Sequence, residues 1–109
     1  MMKSEPLQYY IHDGPTALRF ELAGSLSGRG AESVHNALQT ALSIIGDRPL
    51  IVDITFVVEL DDRGRALLLL WRQHGARIIA ASRESRALAQ PILDKPTASA
   101  SQKKIDLMA

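Results

Sequence analysis

Two adjacent carboxylates, Asp61 and Asp62, are the side chains of this 109-residue chain whose type and spacing most suggest chemistry. They follow an apolar stretch and precede Arg63, Gly64 and Arg65. Paired carboxylates could carry out acid–base chemistry or bind a metal, but neighbouring positions at the start of a helix do not face each other. In addition, no His or third carboxylate lies at ligand spacing from them. We therefore predict no catalytic residue, no metal site and no cofactor.

The arginines beside these carboxylates favour protein binding. Arg63 and Arg65 follow directly, and Arg29 lies in the turn before the preceding predicted helix. A single arginine is ordinarily a solvated surface charge. Together, the three would form a mixed-charge patch at the end of the sheet where α/β folds bind partners. Such a patch is suited to steering a charged protein surface.

The elements that must position these residues alternate between strands and helices. Strands are predicted at 7–12, 16–22, 50–54 and 76–81, and helices at about 31–45, from Asp61 to His74, and from Ser82 to near Pro91. This β-β-α-β-α-β-α order predicts an α/β fold with a four-stranded mixed sheet. We expect the last three strands to be parallel and the helices to pack mainly on one face. Residues 1–94 then form one domain, followed by a polar and flexible tail, 95–109.

The leucine run of the second helix contains more apolar residues than one face needs. On a helical wheel, the face directed at the sheet consists of Ala66, Leu67, Leu70 and Trp71. Leu69 falls among charged and polar residues, and Leu68 lies at the margin of the apolar face. These two are either scattered exposed leucines, which are common, or a small apolar contact for another protein.

Composition excludes several classes of function. A formal net charge of +1 is unlike the marked basic excess of a dedicated nucleic-acid binder. The longest apolar run, 66–71, is far shorter than the roughly 20 residues of a membrane span, which predicts no direct membrane insertion. Residues 1–6 lack an apolar signal core, and the chain has no cysteine, so we expect a cytoplasmic protein.

The glycines and serines of 24–30 allow a further hypothesis, a small-ligand or nucleotide-binding module. The stretch fits neither the dinucleotide-binding nor the Walker pattern. A helix N-terminus can nevertheless hold an anion. Turn geometry is the better account of these glycines.

The sequence resembles the STAS domains of anti-sigma factor antagonists over roughly residues 7–93. The most specific segment is 53–64, in which Asp53, Thr55, Val57, Leu60, Asp61 and Gly64 match the register of the family pattern. In that pattern an Asp closes the strand and an Asp-Ser-Ser/Ala-Gly motif opens the helix. Residues 21–26 are similar to the family's second strand running into Gly-x-Leu, and 75–80 to its last strand. The Asp that often follows Gly-x-Leu falls on Ser27 here.

This resemblance implies a non-catalytic bacterial domain that acts by binding another protein, an anti-sigma factor kinase in typical members. A second possibility is the STAS subunit of a membrane transport complex of the ABC lipid type. The partner surface implied by the family is the Asp-Ser turn and the helix after it, with the turn that faces it. Those positions are Asp61, Asp62, Arg63, Gly64, Arg65, Leu68, Leu69, Ser25, Ser27 and Arg29. The resemblance leaves homodimer formation open.

The phosphorylatable serine of the family falls on Asp62. One interpretation is that Asp61 or Asp62 simply caps the helix, because the first four N–H groups of a helix lack partners. The other is that Asp62 is a constitutive partial mimic of phosphoserine, with one charge against about 1.5 to 2 for a phosphate. Either way the regulated hydroxyl is missing. We therefore predict that partner binding at this position is fixed rather than switched.

Overall fold

A central strand rich in β-branched residues organises the fold, which a computed structural model describes over residues 6–93. The elements are β1 (Gln8–Asp13), β2 (Leu18–Leu26), α1 (Gly28–Leu42), β3 (Leu50–Leu60), α2 (Asp62–Gln73), β4 (Arg77–Ile79) and α3 (Arg83–Leu93). The sheet order is β1-β2-β3-β4, with β1 antiparallel to β2 and the remaining pairs parallel. The predicted α/β class and element order are confirmed. The predicted tail, 95–109, lies outside the described residues.

The core lies between one face of the sheet and the helices. In β2, Leu18, Phe20 and Leu22 are completely buried, while Arg19 and Glu21 alternate with them on the opposite face. This is the period-two pattern of a strand with one face on a core. The same face of β3 contributes Val52 and Ile54, and α1 contributes Ala31, Val34 and Leu38 at helical spacing.

The strands that lead to the site are longer than predicted. β3 continues through Leu60 rather than ending at Ile54, so Asp53 lies within the strand and does not close it. β2 likewise continues to Leu26, and α1 begins at Gly28, where a Gly/Ser turn was predicted. Both extensions have the same cause, because 23–26 pair with 56–60 across two register shifts. These backbone hydrogen bonds outweigh the weak strand preference of glycine and serine.

The orientation of α2 also differs from the helical-wheel prediction. Its buried residues are Gly64, Leu67, Leu68 and Trp71, whereas Ala66 and Leu70 are exposed. The buried set follows the i, i+3, i+4, i+7 spacing of an amphipathic helix. A run of four leucines contains more than one such set, so the run by itself cannot select the face.

The last helix begins as predicted and ends later. The Ser82 hydroxyl accepts a hydrogen bond from the Ser85 backbone N–H at 3.0 Å, which caps the helix. α3 continues through Pro91 to Leu93, and the Arg72 guanidinium donates to the Ile92 carbonyl oxygen at 3.0 Å. Among the helices within 6–93, none is long and apolar enough to cross a membrane.

Candidate functional site

The carboxylate of Asp61 joins the first turns of two helices. Asp61 is the N-cap of α2, and its Oδ1 accepts a hydrogen bond from the Gly64 backbone N–H at 2.7 Å. Its Oδ2 accepts one from the Gly28 N–H, in the first turn of α1, at 3.0 Å. Ser27, the N-cap residue of α1, makes no side-chain capping bond of its own. Asp61 therefore satisfies donors that each helix would otherwise leave unpaired. The capping interpretation is confirmed for Asp61.

These contacts keep Asp61 ionised. The Gly64 N–H lowers the pKa of Asp61 below its usual value and outweighs the opposing effect of partial burial; the Gly28 N–H lowers the pKa further. Both oxygens already act as acceptors. A general acid must carry a proton that it can donate. Asp61 is held in its ionised form, so its role here is structural.

Two glycines near Asp61 allow backbone segments to pack directly against each other. A Cβ atom at Gly64 would overlap the carbonyl oxygen of Leu26, at the end of β2. Gly24, with φ +97°, lies under the carbonyl of Pro6 in the same way. Only glycine permits such close approach. The Gly64 contact therefore holds the β3–α2 junction against the end of β2, whereas the Gly24 contact holds Pro6, which precedes β1, against β2.

Asp62 lies on the surface formed by the first turns of α1 and α2 and is fully exposed to solvent. An Arg65 guanidinium nitrogen lies 3.7 Å from Asp62 Oδ1, one turn along α2. Arg63 forms an ion pair with Glu32 in the second turn of α1, and Arg29 is exposed in the first turn of that helix. The predicted arginines therefore flank the carboxylates, and Arg63 also ties α2 to α1.

The two serines of the facing junction differ in accessibility. Ser25 is buried, and its hydroxyl donates a 2.6 Å hydrogen bond to the Glu59 carboxylate. Ser27 is partly exposed, with its hydroxyl 3.5 Å from that of Ser25. Ser25 is therefore part of the support for the surface, whereas Ser27 lies at its edge.

The two leucines named as contact residues separate into different environments. Leu68 is completely buried in the core, so it offers no contact to a partner. Leu69 is partly buried and lines a depression of about 160 Å³ between α2 and α3, together with Arg65, Ala66, Pro91 and Ile92. The accessible apolar contact therefore comprises Leu69 and the C-terminal end of α3.

Thr55 and Asp53 lie on β3 upstream of the site, and their side chains make hydrogen bonds that hold neighbouring segments to this strand. The Thr55 hydroxyl accepts a hydrogen bond from the Ala81 N–H at 3.0 Å, and the Ser82 hydroxyl donates to the Thr55 carbonyl at 2.8 Å. Burial raises the pKa of Asp53, but hydrogen bonds from Thr55 and Arg19 outweigh it and leave the pKa lowered. Thr55 thus fixes the segment before α3 against β3, and Asp53 ties β3 to Arg19 of β2.

Three partners in this site were not identified from the sequence: Gly28, Glu32 and Glu59. The Ser25–Glu59 pair follows from the parallel register of β2 and β3, in which the two residues are directly paired after two register shifts. The contacts of Asp61 with Gly28 and of Arg63 with Glu32 span 33 and 31 residues and have no local signal.

The site shows no grouping of three or more His, Asp or Glu side chains that could hold a metal, a finding that applies to residues 6–93. No protein-family model matches the chain, and no curated protein matches it.

Proposed function

We propose that this chain is a STAS-type regulatory domain that acts, without catalysis, by binding another protein. The closest functional class is the anti-sigma factor antagonist. In this proposal the partner contacts Asp62, Arg63, Arg65, Leu69 and Arg29. Binding is constitutive at the Asp62 position.

The observation that carries the proposal is the double capping by Asp61. It holds the first turns of α1 and α2 in one rigid unit and leaves the neighbouring Asp62 fully exposed. A surface that is already ordered loses little conformational entropy on binding, which favours affinity. The element order and the placement of Asp61 and Gly64 at the start of α2 support the STAS assignment.

The mixed charges on this surface favour a protein partner. The cations and anions lie at the N-terminal ends of two adjoining helices: Arg63, Arg65 and Asp62 on α2, and Arg29 and Glu32 on α1. Such an arrangement fixes orientation and rate of association more than affinity. A partner with a complementary mixed surface and an apolar side chain for the Leu69 depression would match it.

A tagged pull-down from the native cell tests this proposal, with wild type and Asp62→Ser run in parallel. Asp47→Ser is the matched control, because Asp47 is also exposed but lies before β3, at the opposite end of that strand from Asp62. Recovery of a serine-kinase-like anti-sigma factor by wild type and the control supports the proposal. Altered capture by Asp62→Ser alone would assign the charge a role in recognition.

Two other outcomes would redirect the function. If membrane-transporter subunits are recovered equally by wild type and by Asp62→Ser, the chain is a subunit of a transport complex. Asp62 is then an ordinary exposed charge. A thermal shift produced by nucleotides would favour the ligand-binding alternative that the 24–30 stretch left open.

A further inference from the structure

A groove of about 550 Å³ lies between α1 and α2, near the end of α2 remote from Asp62. Residues that line this α1–α2 groove include His35, Leu42, Arg48, Leu70, Trp71 and His74. Its volume falls in the range of pockets that hold small organic ligands. Because α2 has 12 residues, or about 18 Å of helix, the groove is separate from the proposed partner surface.

Both helical walls of the α1–α2 groove include apolar side chains that are partly uncovered. Leu38 and Trp71 are buried, whereas Leu42 and Leu70 are 38% and 37% exposed on its two helical walls. Burying apolar side chains of this size removes apolar surface from water and is favourable. An apolar ligand body placed between Leu42 and Leu70 would gain this stabilisation without any change in the helices.

His35 supplies a hydrogen-bond donor whose position is fixed by Trp71. The Trp71 indole Nε1 donates to His35 Nδ1 at 3.1 Å, and the two rings are stacked with centroids 6.2 Å apart. An indole N–H can only donate, so His35 Nδ1 carries the lone pair. The proton of the neutral imidazole is therefore on Nε2, which is left as a donor.

Arg48 adds a cationic group that is held in place. Four of its five N–H donors are used by the Asp13 carboxylate and the carbonyl oxygens of Gly14, Ile44 and Ile45. One N–H on Nη2 remains without an acceptor among the described contacts. The guanidinium is therefore rigidly positioned, although Asp13 neutralises part of its charge.

The remaining titratable residue of the α1–α2 groove is His74. Its Nδ1 donates to the Leu70 carbonyl oxygen at 3.0 Å, because a carbonyl can only accept. The described lining residues include three basic or imidazole side chains and no Asp or Glu. Among these residues Arg48 carries the permanent charge, part of which Asp13 offsets, and its remaining N–H offers an anionic group a donor at that end of the groove.

We propose that the α1–α2 groove binds a small amphipathic organic anion. Its apolar body lies against Leu42, Leu70 and Trp71, and its anionic group accepts a hydrogen bond from the remaining N–H of Arg48. The site goes beyond the proposed protein-binding function and does not depend on it.

Trp71 provides the test, because it is the only tryptophan of the chain and forms part of the groove wall. Its fluorescence is followed while octanoate is added, with 1-octanol as an uncharged ligand of equal chain length. Octanoate should change the emission saturably and bind about tenfold or more tightly than 1-octanol, since the alcohol lacks the charge recognised by Arg48. Equal affinity of the two would overturn the assignment of an anion.

Leu70→Glu should abolish octanoate binding by removing an apolar wall and placing a carboxylate at the groove. Val58→Glu is the matched control, an equivalent change at a 51% exposed position on β3 that does not line the groove. Circular dichroism checks the fold of each variant; if Leu70→Glu does not fold, Leu42→Glu makes the same change on the α1 wall. No saturable response in wild type, or equal loss in Val58→Glu, would overturn the proposal. Either result would leave the partner surface at Asp62 unaffected.

Discussion

The Asp61 side chain accepts a hydrogen bond from the backbone N–H of Gly28, 33 residues earlier in the chain. With its second oxygen Asp61 caps its own helix through Gly64. A single carboxylate therefore sets the relative position of α1 and α2 at the end of the sheet. The stability of the fold and the shape of the proposed partner surface both depend on this residue.

Replacing Asp61 with alanine should destabilise the protein by about 2–3 kcal/mol, because it removes an N-cap and a further hydrogen bond to a charged group. The free energy of unfolding can be measured by urea titration. Asp62→Ala is the control: Asp62 is fully exposed and makes no capping bond, so the urea midpoint should not move. Equal effects of the two substitutions would contradict the assignment of Asp61 as the double cap.

Stability should fall in acid because Asp61 and Asp53 both have lowered pKa values in the folded protein. Their usual value is 3.8, so the unfolded chain takes up these protons before the folded chain does as the pH falls. The stabilisation is thus fully present above about pH 4 and is lost as the pH falls through the folded pKa values. Urea midpoints between about pH 7 and about pH 2 measure this loss.

Asp61→Asn should make that acid dependence shallower, since an amide does not titrate in this range. Asp62→Asn is the control, because it removes a neighbouring carboxylate that caps neither helix. An unchanged profile in Asp61→Asn would place the acid sensitivity elsewhere.

Gly64→Ala should destabilise by about 3 kcal/mol or more, because the new Cβ would overlap the Leu26 carbonyl oxygen and force two backbone segments apart. Gly46→Ala tests a different effect, since Gly46 has φ +64° and open space around it. The Gly46 substitution should cost only about 1 kcal/mol, from conformational strain. Thermal unfolding of both variants checks the order; a milder effect at Gly64 would mean that the junction can relax.

Leu68→Ala and Leu69→Ala should separate core packing from surface contact. Leu68 is completely buried, so its truncation should cost about 2–5 kcal/mol. Leu69 is only partly buried, so its truncation should cost about 1 kcal/mol. Urea unfolding measures both values. Leu69→Glu should then fold and lose the partner recovered by wild type; failure to fold would assign Leu69 to the core instead.

Much of the fold could be predicted from local patterns. Alternation in β2, the apolar run from Leu50 and the cap at Ser82 are signals carried by neighbouring residues, and they led to the correct order and class. The strand ends could not be predicted in this way. Ala23–Leu26 and Phe56–Leu60 extend the strands because each pairs with the other, and that pairing is not visible in either segment alone.

For the candidate site, too, local patterns were predictable from the sequence, whereas contacts between distant segments were not. The sequence by itself determined that carboxylates and arginines cluster at the start of a helix, and it favoured one of the two carboxylates as the cap of that helix. Only the tertiary structure decided that Asp61 is the cap and also binds α1, that Leu68 faces the core while Leu70 does not, and that α1 and α2 leave a groove beside Trp71. Capping and periodicity are properties of a few neighbouring residues, so they can be recognised in the sequence. The face that α2 turns toward the sheet depends instead on contacts between distant residues, such as Gly64 with Leu26, about 38 positions apart in the chain.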